Sequence, residues 1–149
     1  MVSFTGSTRA GKLITKNAAD TIKRVSLELG GKGANIVFSD ADEKAVKRGV
    51  RRVFNNSGQS CNAPTRLLVE KSIYERAIKE AIEVAEKTTV DVANKEGQHI
   101  GPVVSKVQYD KIQNLINKGI KEVAKLVAVV PDRPSHLNKG HFVKPTVFA

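Results

Sequence analysis

The spacing of apolar and polar positions divides the chain into short strands and longer helical stretches. "MVSFTGS" reads as a strand entering a turn, and a helical stretch follows from about Thr8 to Ala19. In "RVSLELGG", Val25, Leu27 and Leu29 alternate with polar residues until paired glycines end the strand, and "ANIVF" is a further strand. The segment "SDADEKAVKRGVRRVFNNSG" repeats Val46, Val50, Val53 and Phe54 at helical spacing, with Asp at its start and Gly58 placed to stop it. "TRLLVE" predicts another strand. Ser72 with Glu75 forms a capping box for the helix "IYERAIKEAIEVAEKT", whose apolar face is Tyr74, Ala77, Ile78, Ala81, Ile82 and Ala85. Ser105 with Gln108 forms a second box before "VQYDKIQNLINKG". "PDRPSHLNKG" is a polar loop, and "HFVKPTVF" a closing strand that Pro145 confines to an edge or an end. Strands alternating with helices predict an α/β fold, an open and largely parallel sheet flanked by helices, without internal repeats.

At 149 residues the chain has the size of one domain, able to bury roughly two-thirds of the surface its unfolded form exposes. No apolar run approaches the roughly 20 residues that span a bilayer, and no secretory signal is legible at the start, so the expected location is cytoplasmic and no membrane partner is expected. The single cysteine excludes an intrachain disulfide. A net charge of +10 raises the question of nucleic acid, because basic surfaces gain affinity by releasing phosphate counterions. The basic residues are spread over the chain, and aromatic residues are only 5%, too few for base-stacking platforms, so nucleic acid is not the expected partner. Lys44, Lys47, Arg48, Arg51 and Arg52 lie opposite the apolar stripe of their helix and read as a solvated face. His99, His136 and His141 have no metal-ligand spacing, and no metal site is expected.

Three stretches could carry chemistry. "GSTRAGKL" nearly satisfies the phosphate-loop pattern, but Leu13 replaces the hydroxyl residue that would hold Mg²⁺. A helix N-terminus remains, at which Ser7 and Thr8 either contact an anion without a metal or simply cap the helix. "LELGGK" places Glu28 near the end of an apolar strand, where it either faces water or enters a cleft as a base, beside glycines that admit a bound molecule. In "FNNSGQSCNAP" the lone Cys61 sits among small polar residues, unlike a packing cysteine. It follows a helix C-terminus, whose dipole disfavours negative charge, so a nucleophile here needs a base such as Glu28 and backbone N–H donors. The alternative is a tolerated loop thiol.

Taken together, "FTGST" at Phe4–Thr8, "LELGGK" at Leu27–Lys32, "FNNSGQSCNA" at Phe54–Ala63 and "FVKPTVF" at Phe142–Phe148 resemble, in order and spacing, the NAD(P)-dependent aldehyde dehydrogenases. The resemblance covers essentially the whole chain. It implies that Cys61 attacks an aldehyde substrate to give a thiohemiacetal, that hydride passes to NAD or NADP, and that water activated by Glu28 hydrolyses the thioester. It further implies that the Cys61 N–H donates to the oxyanion, Ser7 contacts the cofactor diphosphate, Leu29 and Gly30 line the nicotinamide, and Gln108 contacts a cofactor ribose, in competition with its capping role. Residues 1–28 would then be the end of the dinucleotide-binding domain and 29–149 an incomplete catalytic domain. Members are considerably longer, and the family's upstream asparagine of the oxyanion hole, its ribose-binding lysine, its downstream glutamate and its oligomerisation strands have no counterpart here. Gly33 stands where the family signature usually carries Ser, Ala, Asp or Asn. The resemblance therefore implies a fragment with little activity alone, which associates with itself or with the missing enzyme parts. The other reading is a decayed or split-gene remnant acting as a non-catalytic binding module.

Overall fold

The computed structural model describes residues 1–128 and 132–149. The first unit is a βαβ crossover. Strand β1 (Val2–Gly6) and strand β2 (Val25–Leu29) run parallel, with Thr5 opposite Glu28 and Gly6 opposite Leu29. Helix α1 (Thr8–Ala19) connects them. A Cβ at Gly11 would lie 2.9 Å from Leu29 Cδ2 and 3.4 Å from Leu27 Cδ1, so the helix approaches the sheet closely because that residue has no side chain. This contact puts Leu27 and Leu29 on the face under α1. Period-two alternation sends Glu28 to the opposite face, where it is exposed.

The second unit contains the core. Strands β3 (Ala34–Val37) and β4 (Arg66–Val69) pair in parallel, and helices α2 (Ala45–Phe54) and α3 (Tyr74–Lys87) cover them. Val37, Val46, Val50, Ala77, Ala81 and Val84 are its buried residues, with Leu67, Val69 and Phe54 against them. Each fully buried valine contributes about 1.5 kcal/mol or more, and the alanines let the two helices approach. Of the apolar face predicted for α3, Ala77, Ala81 and Ala85 are buried as expected, joined by Val84, while Tyr74 is 40% exposed at the first turn.

The remaining ladders are short. β5 (Thr89–Val90) pairs in parallel with β6 (His99–Ile100), and after α4 (Lys106–Lys121) strand β7 (Leu126–Ala128) pairs antiparallel with β8 (Val147–Phe148). Among the described residues three of four pairings are parallel, in an α/β arrangement, each a two-stranded ladder. Sequence patterning did not mark β5, β6 and β7, which hold only two or three residues and so show no period. The strand expected over "HFVKPTVF" narrows to Val147–Phe148, beyond Pro145, which has no N–H to give to a ladder. The polar loop forms no strand or helix over Asp132–Gly140, and the remainder of that reading, residue 131, lies outside the described residues.

Two capping expectations separate. Ser105 caps α4, its hydroxyl accepting from the Gln108 N–H at 3.2 Å, although among the described residues the Gln108 side chain returns no bond. The Ser72–Glu75 box does not form. The Ser72 hydroxyl donates instead to Glu70 Oε1 at 2.9 Å, and residues Lys71–Ile73 wind as a tight 3₁₀ turn before α3 starts at Tyr74. Glu70 is held by a second partner, accepting the Ser39 N–H at 2.7 Å, and this bond lowers its pKa. At α2 the expected Asp cap does not form: the N-cap is Lys44, without a side-chain bond, while Asp42, ahead of it, accepts from the Lys44 N–H at 2.9 Å and from Arg48 at 3.0 Å. No helix among the described residues is long and apolar enough to cross a membrane.

Candidate functional site

The carboxyl ends of parallel β1 and β2 face the segment that follows α2, and an open cleft of about 320 Å³ lies between them. Its lining includes Thr5 and Gly6 from β1, Glu28 and Leu29 from β2, Gly30, and Cys61. A cleft beyond the carboxyl ends of parallel strands is where α/β folds place ligands. Each residue arrives there for a local reason. Glu28 points away from α1 because its two neighbours are packed under that helix. At Gly30 a Cβ would meet nothing within 4 Å, so this backbone borders open space, and one at Gly31 would lie 3.9 Å from the Cys61 carbonyl oxygen.

Cys61 reaches the cleft on an unusual turn. After Phe54 the chain passes through Asn56 and Ser57 at φ 52° and 55°, both left-handed, and Gly58 follows at φ 73°. α2 therefore ends at Phe54, ahead of the Gly58 stop that the sequence predicts; Gly58 closes the 3₁₀ turn Asn55–Gly58, and two non-glycine residues share its conformation. Side chains hold them: Ser57 Oγ donates to the Gly101 carbonyl at 2.6 Å, and Asn56 Nδ2 donates to the Gln59 carbonyl at 3.3 Å. The Gln59 amide oxygen accepts from the Val104 N–H at 2.8 Å. Cys61 itself is exposed, and among the described residues no carbonyl accepts from its N–H. The thiol is thus accessible, beside a carboxylate-bearing strand and a free backbone donor.

Of the other residues singled out from the sequence, Ser7 follows cleft-lining Gly6 and caps α1, accepting from the Ala10 N–H at 3.2 Å. Its hydroxyl hydrogen remains to be donated, and the first turn of α1 contains no acidic residue. The cap and an anion contact are therefore compatible at Ser7. Gln108 is half-buried on the first turn of α4, outside the cleft. The basic face of α2 is partly tied down: Lys47 pairs with Glu83 at 2.7 Å and Arg48 with Asp42 at 3.0 Å. Sequence reasoning missed Gln59, whose amide ties the cysteine turn to residues 102–104. The available signal was the cluster of amide and hydroxyl side chains in "NNSGQS", more than a solvent loop requires.

The aldehyde dehydrogenase family model matches residues 1–149. A 3-succinoylsemialdehyde-pyridine dehydrogenase of a Pseudomonas species is 48% identical over 150 residues, which cover 100% of this chain and 31% of that relative. The crystal structure of an aldehyde dehydrogenase from Bartonella henselae matches with a TM-score of 0.96 at 64% identity, covering 99% of this chain and 31% of the other. Aldehyde Dehydrogenase C of Pseudomonas syringae, solved as a cysteine-to-alanine mutant complexed with NAD+ and octanal, matches at 0.93 and 42% identity, covering 99% and 31%. The chain spans about 31% of the length of these proteins. The chain belongs to the aldehyde dehydrogenase family.

Proposed function

We propose that this chain carries the thiol and the carboxylate of a centre that oxidises an aldehyde to a carboxylic acid with NAD or NADP. The observation that carries the reading is the shared cleft: Cys61 and Glu28, far apart in sequence, line one opening at the carboxyl ends of two parallel strands. Residues 1–28 belong in this reading to the dinucleotide-binding part and 29–149 to the thiol-bearing part. Support for the cofactor comes from the α1 N-terminus, where the Ser7 hydroxyl and unpaired N–H groups suit a diphosphate, and from the unobstructed backbone at Gly30. Leu29 and Gly30 would border the nicotinamide, and Gln108 a ribose.

The steps follow from the groups present. Glu28, directly or through a water, takes the Cys61 proton as sulfur bonds to the carbonyl carbon, and the carbonyl π pair moves onto oxygen. The Cys61 N–H meets the developing oxyanion. A bound NAD or NADP supplies the two-electron acceptor for the hydride that leaves the thiohemiacetal carbon. Glu28 releases the thiol's proton to solvent and, again a carboxylate, removes a proton from water as its oxygen attacks the thioester; the C–S bond breaks, the acid leaves, and Glu28 returns that proton to the departing thiolate.

The test uses the thiol directly. A nitrophenyl ester should acylate Cys61 with release of one nitrophenolate per chain, Cys61→Ser should lose that release, and Glu28→Gln should acylate but deacylate at least tenfold more slowly. Acylation of Cys61→Ser at the parent rate would overturn the assignment.

A further inference from the structure

The cysteine turn rests on one amide side chain. Gln59 lies two residues before Cys61, and both line the cleft. Its Oε1 accepts from the Val104 N–H at 2.8 Å, while its Nε2 donates to the Asn56 carbonyl at 3.1 Å and reaches the Pro102 carbonyl at 3.5 Å. The chemistry fixes the orientation of the amide. A backbone N–H can be met only by the oxygen, which leaves the NH₂ for two carbonyls. The same Asn56 carbonyl also takes the Gln59 N–H at 3.1 Å, and Asn56 Nδ2 returns a bond to the Gln59 carbonyl at 3.3 Å. Asn56 and Gln59 thus close a ring around the left-handed residues. Gln59 alone of the pair reaches beyond it, to the segment that leads into Ser105 and the α4 N-terminus. Ser57 Oγ grips the same segment at Gly101, so two side chains anchor the turn, one on each side of Gly58.

We infer that Gln59 is a positioning residue: its amide holds Cys61 in the cleft that Glu28 also lines and locks the nucleophile turn to the segment that leads into α4. This rests on the proposed roles of Cys61 and Glu28. Removing the amide leaves the α2–α3 core untouched, because Gln59 makes none of its contacts. It releases the left-handed turn to other conformations, in which sulfur, carboxylate and the free N–H no longer converge.

The experiment compares the parent chain with Gln59→Leu and Gln59→Glu, alone and combined with Glu28→Gln. It follows amide hydrogen exchange of residues 56–61 and Val104 together with the rate of Cys61 modification by dithiodipyridine. In Gln59→Leu the bonded amides of residue 59 and Val104 should exchange at least tenfold faster and Cys61 should react at least threefold more slowly, with little change in melting temperature. Gln59→Glu, which keeps an oxygen for the Val104 N–H but loses the donors, should protect Val104 and still speed exchange of the residue-59 amide. That variant also carries the test if Gln59→Leu proves poorly folded. Glu28→Gln should slow Cys61 modification in the parent and have no effect beside Gln59→Leu. Parent-like exchange and reactivity in both Gln59 variants would overturn the inference while leaving the roles of Cys61 and Glu28 standing. Conversely, if Glu28→Gln changes nothing in the parent but the Gln59 variants behave as stated, Gln59 still positions the turn and Glu28 is not the base.

Discussion

The α2–α3 core and the cysteine turn are built on opposite principles, although they adjoin in sequence at Phe54. In the core, short apolar side chains on regular helices and strands exclude water: Val46 is 1% exposed, Ala85 1% and Ala77 2%. Nothing there depends on one hydrogen bond. In the turn the backbone takes conformations that cost about 1–2 kcal/mol per non-glycine residue, and Ser57, Asn56 and Gln59 hold it through bonds to named carbonyls and one N–H. The core supplies stability that is insensitive to detail. The turn uses some of that stability to fix a thiol at a point no regular element would present.

The largest break in this comparison should come from one charge in the core. Val46→Asp buries an unpaired carboxylate, at a cost of several kcal/mol, comparable with the whole stability of a small domain. Loss of the far-UV helical signal at ambient temperature is the expected result. Cys61→Ala, by contrast, alters an exposed side chain and should leave stability within about 0.5 kcal/mol, read from the urea midpoint. A folded Val46→Asp variant, or a Cys61→Ala variant that melts early, would erase the proposed division between the regions.

A smaller effect should separate strain from bonding within the turn. Ser57→Ala keeps the left-handed conformation but loses the 2.6 Å bond to Gly101, and should cost about 1 kcal/mol. Ser57→Gly loses the same bond but relieves the strain at φ 55°. Relief of about 1–2 kcal/mol largely offsets the lost bond and the added freedom of the unfolded chain. Its stability should therefore lie within about 0.5 kcal/mol of the parent. Equal losses in both variants would show that the backbone at Ser57 is not strained.

The same contrast explains what could be read from the sequence. Val46, Val50, Ala77 and Ala81 announce themselves by helical period, and Val25, Leu27 and Leu29 by alternation, because burial acts on side chains at regular spacing. Cys61 and Glu28 were legible as residues out of keeping with their surroundings. Their shared cleft was expected from the chemistry a thiol needs and from the resemblance, not from any spacing rule, since it depends on the βαβ crossover and on a turn whose bonds join residues more than 40 positions apart, as in the contact of Gln59 with Val104. The Ser72–Glu75 box failed for a related reason. The pattern was present, but Glu70, which no local rule includes, took the hydroxyl.

The smallest predicted effect concerns the surface joining the two core helices. Glu83 on α3 accepts Lys47 of α2 at 2.7 Å and Lys87 at 2.6 Å, and these two bonds, Lys47 first, lower its pKa from 4.5 to about 2. A carboxyl with a depressed folded-state pKa stabilises the fold above its unfolded value, and that contribution fades as pH falls from about 4.5 toward 2. Glu83 is 41% exposed, so solvent screening keeps the contribution small. Glu83→Gln should accordingly melt slightly below the parent at pH 6, and the gap should narrow steadily as pH is lowered through that window. Molar salt at pH 6 should narrow it as well, because exposed pairs are screened over a few ångströms at that ionic strength. A gap that is the same at pH 6 and pH 2.5 would mean that Glu83 joins the helices by packing its methylenes, and that the ion pairs contribute nothing to the core they border.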